Sequence, residues 1–271
     1  MALPDDASLI EPLVQSAIRA GRIILDIRSA GVTAEKKADH SPVTEADRAA
    51  EAEITATLNH VAPGIAVIAE EAVYEGRIPD TGRAFFLVDP LDGTREFVKG
   101  GSDFTVNIGL VRDGIPVVGV IYVPAMHRLY AGAVGEGAWH ADVKDGVVGT
   151  RNPMAVRPVP DGPIDIVASR SHRTKETDDF IGQYEVGRLV SAGSSVKFCL
   201  VACGEADLYP RMGTTMQWDT AAGDAILRAA GGRVLTLEGA PLGYGPTGAA
   251  GPDAFRNPWF VATAGVPLPP D

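Results

Sequence analysis

Residues 84 to 95 read Ala-Phe-Phe-Leu-Val-Asp-Pro-Leu-Asp-Gly-Thr-Arg, and this stretch decides the fold of the chain. Its five apolar residues, 84 to 88, predict a short buried strand. Two carboxylates, Asp89 and Asp92, follow the strand, and like charges held close together need a cation to offset them. Ligands that are all oxygen suit a hard cation such as Mg²⁺. Since Gly93 has no Cβ and a helix start favours an anion, the stretch predicts a metal and a phosphate at one strand end, with a helix-capping turn as the alternative.

The composition is that of a soluble globular protein and limits the classes of partner. The chain has 271 residues, 45% hydrophobic and 22% charged, which predicts one large domain or two tightly joined halves. A formal net charge of −11 argues against binding to nucleic acid polymers. The N-terminus lacks the basic and apolar regions of a signal peptide, and no run has the length of a membrane span. We therefore expect a cytoplasmic protein, with peripheral contact with the inner membrane as an open alternative.

The order of the predicted elements divides the chain into two halves. Amphipathic helices are predicted at 8–30 and from Thr44, a plausible N-cap, to about 58, with a polar loop at 36–42 between them. Short strands are predicted at 66–69, 104–111, 116–124, 128–133 and 137–140. Residues 1–152 are thus expected to be an α+β half in which helices cover an antiparallel meander. Prolines cluster at 153–163, and strands and helices alternate afterwards, so residues 153–271 are expected to be an α/β half.

Further acidic residues stand at the ends of other predicted elements. Glu70 and Glu71 follow a short apolar strand, and Asp219 begins an Ala-rich helix. Helix capping alone would explain Asp219 equally well. If the two halves face each other across a cleft, Glu70 and Asp219 would meet the two aspartates of the opening stretch. Two or three Mg²⁺ ions are the simplest way to offset the repulsion among four such carboxylates.

Three motifs together resemble one enzyme family. They are Glu70-Glu71, Asp89-Pro90-Leu91-Asp92-Gly93-Thr94 and Trp218-Asp219-Thr220-Ala221-Ala222-Gly223. In this combination the sequence resembles the inositol monophosphatase superfamily of lithium-sensitive, magnesium-dependent phosphatases, from the first helix to about Ala264. Finer motifs are similar to its 3′(2′),5′-bisphosphate nucleotidase branch, and they occupy residues 92–97, 103–108, 169–172, 193–200 and 208–211.

The resemblance implies a fold and a set of metal ligands. The fold would be an α/β five-layer αβαβα sandwich. The implied ligands are Glu70, Glu71, Asp89, the main-chain carbonyl of Leu91, Asp92 and Asp219. Asp89 would be shared between a first and a second Mg²⁺ ion, and Glu71 would serve a third ion or lie behind the others.

The resemblance also implies catalytic and substrate-binding residues. Asp47 and Thr94 would orient and deprotonate the attacking water, although Asp47 by itself is typical of a first-turn helix acid. The implied substrate-binding residues are Gly93, Thr94, Arg95, His172, Ser194, Lys197 and Arg211. The last three of these would contact the second phosphate of a nucleotide, with solvated surface charge as the alternative. His172 would approach the base or ribose, and an exposed loop histidine is an equal alternative.

The leading hypothesis is a Mg²⁺-dependent phosphatase that converts adenosine 3′,5′-bisphosphate to AMP and phosphate, with 3′-phosphoadenylyl sulfate as a further candidate substrate. The alternative enzymes are an inositol monophosphatase and a fructose 1,6-bisphosphatase, which would share the metal residues. A different class is a non-catalytic nucleotide or metal sensor on the same fold. The expected partner is a small phosphorylated nucleotide rather than a nucleic acid polymer or an integral membrane protein, and the chain could be a monomer or a homodimer.

Overall fold

The computed structural model of the protein describes residues 5–31, 34–36, 42–170 and 173–269. Its helices are α1 Asp6–Ala30, α2 Glu45–Val61, α3 Glu70–Tyr74, α4 Thr94–Val98, α5 Lys175–Ile181, α6 Val196–Ala202 and α7 Gln217–Ala229. Its first strands are β1 Ala34–Lys36, β2 Pro42–Thr44, β3 Ala66–Ala69, β4 Ala84–Asp92, β5 Thr105–Arg112, β6 Ile115–Val123 and β7 Arg128–Ala133. The later strands are β8 Gly137–Lys144, β9 Val147–Val148, β10 Asn152–Met154, β11 Ile164–Ser169, β12 Val186–Ala192, β13 Leu208–Arg211, β14 Arg233–Thr236 and β15 Phe260–Thr263.

Two large sheets and three helical layers make up most of the described protein, with β1 and β2 as a separate two-stranded sheet. The first sheet has the order β10-β8-β7-β6-β5-β4-β3, with β9 paired to β8, and the second has the order β12-β11-β13-β15-β14. Helices α1 and α2 share an apolar core with one face of the first sheet. Helices α6 and α7 lie between the two sheets, and α5 packs on the far side of the second sheet. The predicted five-layer αβαβα sandwich is therefore confirmed.

Helix α7 lies against the first sheet at two glycines. A Cβ on Gly109 of β5 would come within 2.8 Å of the Ala222 backbone nitrogen. A Cβ on Gly119 of β6 would come within 2.1 Å of the Ala222 carbonyl oxygen. Only glycine allows so close an approach of helix and sheet. This contact brings the first turn of α7, which carries Asp219, next to strand β4.

The start of helix α2 is as the sequence predicts. Thr44 is its N-cap, its hydroxyl accepts from the Ala46 amide at 3.1 Å, and the Asp47 carboxylate accepts from the Thr44 amide at 2.7 Å. This reciprocal arrangement is a capping box, which satisfies backbone donors that the helix itself cannot. The predicted polar loop before it is wrong in part, because residues 34–36 and 42–44 pair as antiparallel strands β1 and β2.

The change from the first sheet to the second falls between β10 and β11. Pro153 lies within β10 and so belongs to the first sheet. The division of the chain into units 1–152 and 153–271 stays a prediction. Cys199 is buried on α6, and Cys203, the C-cap residue of that helix, is half-buried. Among the helices of the described residues, none is both long and apolar enough to cross a membrane.

A buried ion pair in α7 predicts a pH dependence of folding. Arg228 donates to Asp224 through Nε at 2.6 Å and Nη2 at 3.2 Å, and burial nevertheless raises the Asp224 pKa from 3.8 to about 6. The folded state therefore holds this proton more tightly than the unfolded chain does. The stabilising contribution is complete below pH 3.8 and is lost as the pH rises through about 6.

The change in the free energy of unfolding from Asp224 alone should be on the order of 3 kcal/mol across this window. Asp224→Asn removes the titrating group, so the stability of the variant relative to the wild type should rise from pH 4 to pH 7. Urea unfolding at four pH values in that range measures this difference. A difference that stays constant with pH would contradict the assignment of the shift to Asp224.

Candidate active site

A cavity of about 440 Å³ lies where the two sheets and helix α7 meet. Its wall brings together residues that the sequence predicts for metal and substrate binding from both parts of the chain. They are Glu70, Asp89, Leu91, Asp92, Gly93, Thr94, Arg95, Ser194, Lys197, Arg211 and Asp219. The cleft that these predictions required therefore exists.

Strand β4 does not end before its acidic residues, contrary to the prediction of a strand over 84–88. It continues to Asp92, and Asp89 pairs with Asn107 while Asp92 pairs with Thr105 of β5. Two residues of β4 thus lie opposite one residue of β5, which is a β-bulge. In a regular strand, residues three apart point to opposite faces, and the extra residue of the bulge corrects this parity. The bulge is the reason that both carboxylates line one cavity.

The structural reason for a glycine at position 93 differs from the predicted one. Its φ of 97° lies in the left-handed region, and a Cβ there would come within 2.9 Å of the Asp103 carbonyl oxygen. The close neighbour that excludes a side chain is therefore protein backbone, where the sequence suggested only an approaching ligand. Gly93 caps helix α4, which begins at Thr94 as the opening stretch predicts.

Asp47 and Thr94 are joined by a hydrogen bond, although they are far apart in the sequence. The Thr94 hydroxyl lies 3.2 Å from Asp47 Oδ1 and 3.1 Å from the Leu91 carbonyl oxygen. The second oxygen of Asp47 accepts from the amide and hydroxyl of Thr44 at 2.7 Å each. Asp47 is 2% exposed, so its carboxylate is held behind Thr94 with a fixed orientation. This arrangement can accept a proton passed through the Thr94 hydroxyl.

The carboxylates of the cavity repel one another. Burial of Asp219 is the main cause that raises its pKa well above the usual range, and the negative charges of Asp92 and Glu70 raise it further. Its Oδ2 also accepts from the Met216 amide at 2.8 Å, so Asp219 caps α7 as well as lining the cavity. Within the described part of the chain, no three acidic, histidine or cysteine side chains are gathered closely enough to grip a metal ion. The donor set itself, made of carboxylate and carbonyl oxygens, fits Mg²⁺.

Lys197 supplies a buried positive charge to the same cavity. It is 4% exposed, its ammonium group donates to the Ser194 carbonyl, and it lies 5.3 Å from the centre of the Tyr209 ring. Burial lowers its pKa to about 8, while the charges of Asp92 and Asp219 act in the opposite direction. Arg211 is 7% exposed and donates to the Thr214 carbonyl at 2.8 Å. Two buried cations in one cavity favour an anionic ligand.

Two residues that the sequence predicts for the site, Glu71 and His172, are not among the residues named above as lining the cavity. Glu71 is buried, and its amide donates to the Glu51 carboxylate at 2.8 Å. His172 lies outside the described residues. The roles proposed for both from the family resemblance stay predictions.

Sequence reasoning assigned no role to Glu51, Asn107 and Ser195, which support the site. Glu51 accepts from the amides of Glu71 and Ala72 and so caps helix α3, where Glu70 begins. Burial raises the pKa of Glu51. The sequence contained a signal for Glu51, because this residue lies on the buried face of α2, where an acidic side chain is unusual. Asn107 is likewise a buried polar residue, and it lies between the apolar residues Val106 and Ile108 of β5.

Comparison with known proteins agrees with this geometry. A sequence model described as the inositol monophosphatase family matches residues 5–263. The chain is 41% identical over 254 residues to the 3′(2′),5′-bisphosphate nucleotidase CysQ of Shigella flexneri, which covers 93% of this chain and 98% of that protein. Identity to CysQ of Escherichia coli K12 is 40% with the same coverage. The crystal structure of CysQ from Bacteroides thetaiotaomicron, a bacterial member of the inositol monophosphatase family, superimposes with a TM-score of 0.77, at 38% identity, over 96% of this chain and 98% of that one.

Proposed function

This chain belongs to the inositol monophosphatase family, and on that premise we propose that it is a 3′(2′),5′-bisphosphate nucleotidase, a phosphoric monoester hydrolase. It removes the 3′-phosphate of adenosine 3′,5′-bisphosphate and leaves AMP and phosphate, and 3′-phosphoadenylyl sulfate is a second candidate substrate. The observation that carries this proposal is that an acidic wall and two buried cations, Lys197 and Arg211, line one cavity. Similarity to CysQ proteins over nearly the whole chain supports the same choice.

Mg²⁺ is the proposed cofactor, because the oxygen donors around the cavity suit a hard cation. The residues that would hold it are Glu70, Asp89, the Leu91 carbonyl, Asp92 and Asp219, all of which line the cavity. Glu71 would serve a third ion or lie behind these residues. When bound, Mg²⁺ supplies positive charge that offsets the phosphate and acts as a Lewis acid on its oxygens. Two or three ions fit the number of donors, as the family resemblance implies.

Asp47 and Thr94 are the proposed proton acceptors for the attacking water. A water that donates to Thr94 Oγ1 passes a proton to that hydroxyl, and the hydroxyl proton moves along the 3.2 Å contact to Asp47 Oδ1. The amides of Gly93 and Thr94, together with the exposed side chain of Arg95, lie at the cavity and would contact the phosphate that is removed. The water oxygen forms a bond to phosphorus, the bond from phosphorus to the ribose 3′ oxygen breaks, and that oxygen takes up a proton from solvent to become the 3′ hydroxyl of AMP.

Lys197 and Arg211 are the proposed contacts for the second phosphate of the substrate, together with Ser194. Lys197→Ala and Arg211→Ala should each lower kcat/KM for adenosine 3′,5′-bisphosphate by about 10- to 100-fold, because each removes a charge-assisted contact. Inositol 1-phosphate has no second phosphate for Lys197 and Arg211 to contact. Its turnover should therefore change less than about threefold, the size of effect expected for a weak charge interaction. Phosphate release from both substrates under saturating Mg²⁺ measures the two effects.

Lys175→Ala is the matched control, because it removes the same charge from an exposed ion pair with Asp179 on α5. It should leave both substrates unaffected. Equal losses on the two substrates from Lys197→Ala and Arg211→Ala would contradict the assignment of these residues to the second phosphate. Faster wild-type turnover of inositol 1-phosphate or fructose 1,6-bisphosphate than of the nucleotide would favour the alternative function, an inositol monophosphatase or fructose 1,6-bisphosphatase. Inhibition by Li⁺ is expected from the family resemblance in either case. A non-catalytic sensor would bind the bisphosphate without releasing phosphate.

A further inference from the structure

Three consecutive loop residues contact Asp103, which lies just before strand β5, and Thr105 and Asn107 within that strand. The contacts are Gly193 N to Asp103 Oδ2 at 3.1 Å, Ser194 Oγ to Thr105 Oγ1 at 3.0 Å and Asn107 Nδ2 to Ser195 Oγ at 2.9 Å. Alternate residues of an extended strand share one face, so the face that meets the loop is polar. These contacts fix the loop that precedes α6 against the first sheet, beside the bulge of β4.

Of the three loop residues, Ser195 is the one that also contacts two of the proposed metal ligands, Asp92 and Asp219. Its hydroxyl lies 2.9 Å from Asp92 Oδ2 and 2.6 Å from the main-chain carbonyl oxygen of Asp219. Asn107 Nδ2 donates to the same hydroxyl, so the single Ser195 proton must point to one of the two acceptors. Ser195 is 2% exposed, so water does not compete for these contacts. One buried hydroxyl thus joins β4, the first turn of α7 and the substrate-facing loop.

We infer that Ser195 is a positioning residue for metal binding: it donates its one proton to Asp92 Oδ2, the charged acceptor, and so holds the Asp92 carboxylate in the orientation that Mg²⁺ requires. This inference rests on the proposed function, since it concerns the same site. A hydrogen bond to one oxygen of Asp92 sets the direction of the other oxygen. The Ser195 oxygen also lies 2.6 Å from the Asp219 carbonyl oxygen, so the serine packs between β4 and the first turn of α7. Residues that orient metal ligands in this way change metal affinity by about 10- to 100-fold when they are removed.

Ser194 offers a matched control in the same loop. Its hydroxyl contacts Thr105 and not a carboxylate of the cavity. Ser194→Ala should therefore leave Mg²⁺ affinity unchanged while it raises KM for the bisphosphate. Ser195→Ala should do the reverse: Mg²⁺ affinity falls by about 10- to 100-fold, and kcat at saturating Mg²⁺ changes less than about threefold.

Isothermal titration of the full chain with Mg²⁺, in the absence of substrate, measures the metal affinity directly. Asn107→Leu is a second variant, and it should weaken Mg²⁺ binding in the same direction because it removes both the donor to the Ser195 hydroxyl and a 3.5 Å contact with Asp92 Oδ2. Thermal unfolding without Mg²⁺ separates loss of fold from loss of affinity. Equal Mg²⁺ affinity in the wild type and in folded Ser195→Ala would overturn the inference and leave the nucleotidase proposal standing.

Failure of the proposed function can be distinguished from failure of the positioning role of Ser195. A wild type that binds Mg²⁺ more tightly than Ser195→Ala, yet releases no phosphate from any phosphate ester, would refute the proposed function and keep the positioning role. A wild type that binds no Mg²⁺ would overturn both.

Discussion

Asp89→Asn should lower kcat for phosphate release from adenosine 3′,5′-bisphosphate by about 10³-fold or more. Asp89 is 2% exposed, lines the cavity and lies beside the bulge of β4. It is proposed as the ligand that two Mg²⁺ ions share, so loss of its charge weakens both. Asparagine keeps the shape and an oxygen that can accept from the Leu91 amide, as Asp89 Oδ1 does at 3.0 Å. The fold should therefore persist, and thermal unfolding checks that it does.

Asp253→Asn is the control for the change of charge. Asp253 lies in an exposed turn and pairs with Arg256 on the surface, where an ion pair contributes little. Its variant should keep wild-type activity. Wild-type phosphate release from a folded Asp89→Asn protein would show that the acidic wall is not a catalytic metal site.

Asp47→Asn should lower kcat by about 10²- to 10⁴-fold, the range for loss of a general base, with little change in Mg²⁺ affinity. Thr94→Val removes the hydroxyl that connects Asp47 to the cavity and should have an effect of similar size. Because the two side chains are proposed to act as one proton path, the double variant should be hardly slower than either single variant. Steady-state phosphate release at saturating Mg²⁺, with the Mg²⁺ affinity measured separately, tests both parts.

Multiplicative losses in the double variant would show that Asp47 and Thr94 act independently. If Asp47→Asn lowered the stability of the protein but not kcat, the role of Asp47 would be limited to the capping box of α2, where it accepts from the Thr44 amide. Asparagine can still accept from that amide, so we expect the loss of stability to be small relative to the loss of kcat.

Local chemistry explains which parts of the fold could be predicted. Helix α2 follows from a threonine with an acid three residues later, and the first sheet follows from alternating apolar residues between turns. The acids of the cavity could be picked out because carboxylates near buried strand ends are costly unless they have a ligand. Their meeting in one cavity required the two halves to face each other, which only the family resemblance supplied.

The features that sequence reasoning missed depend on contacts distant in the chain. The bulge of β4 arises from pairing with β5. Pro90, which lies in the bulge and cannot donate to a strand ladder, was a local signal that sequence reasoning did not use. Gly93 is required by the Asp103 carbonyl, which approaches from a separate loop. Ser195 gains its role only when Asp92 and Asp219 are brought beside it. The pairing of β1 with β2 was missed because each strand has only three residues, too few for alternation to show.

The identity of the nucleotide product tests the central proposal most directly. The wild-type protein is incubated with adenosine 3′,5′-bisphosphate and Mg²⁺, and the products are separated by chromatography against adenosine 5′-phosphate and adenosine 3′-phosphate. A 3′-phosphatase gives adenosine 5′-phosphate and one equivalent of phosphate, with no turnover when Mg²⁺ is chelated. Formation of adenosine 3′-phosphate, or turnover of inositol 1-phosphate with no turnover of the bisphosphate, would contradict the proposed function.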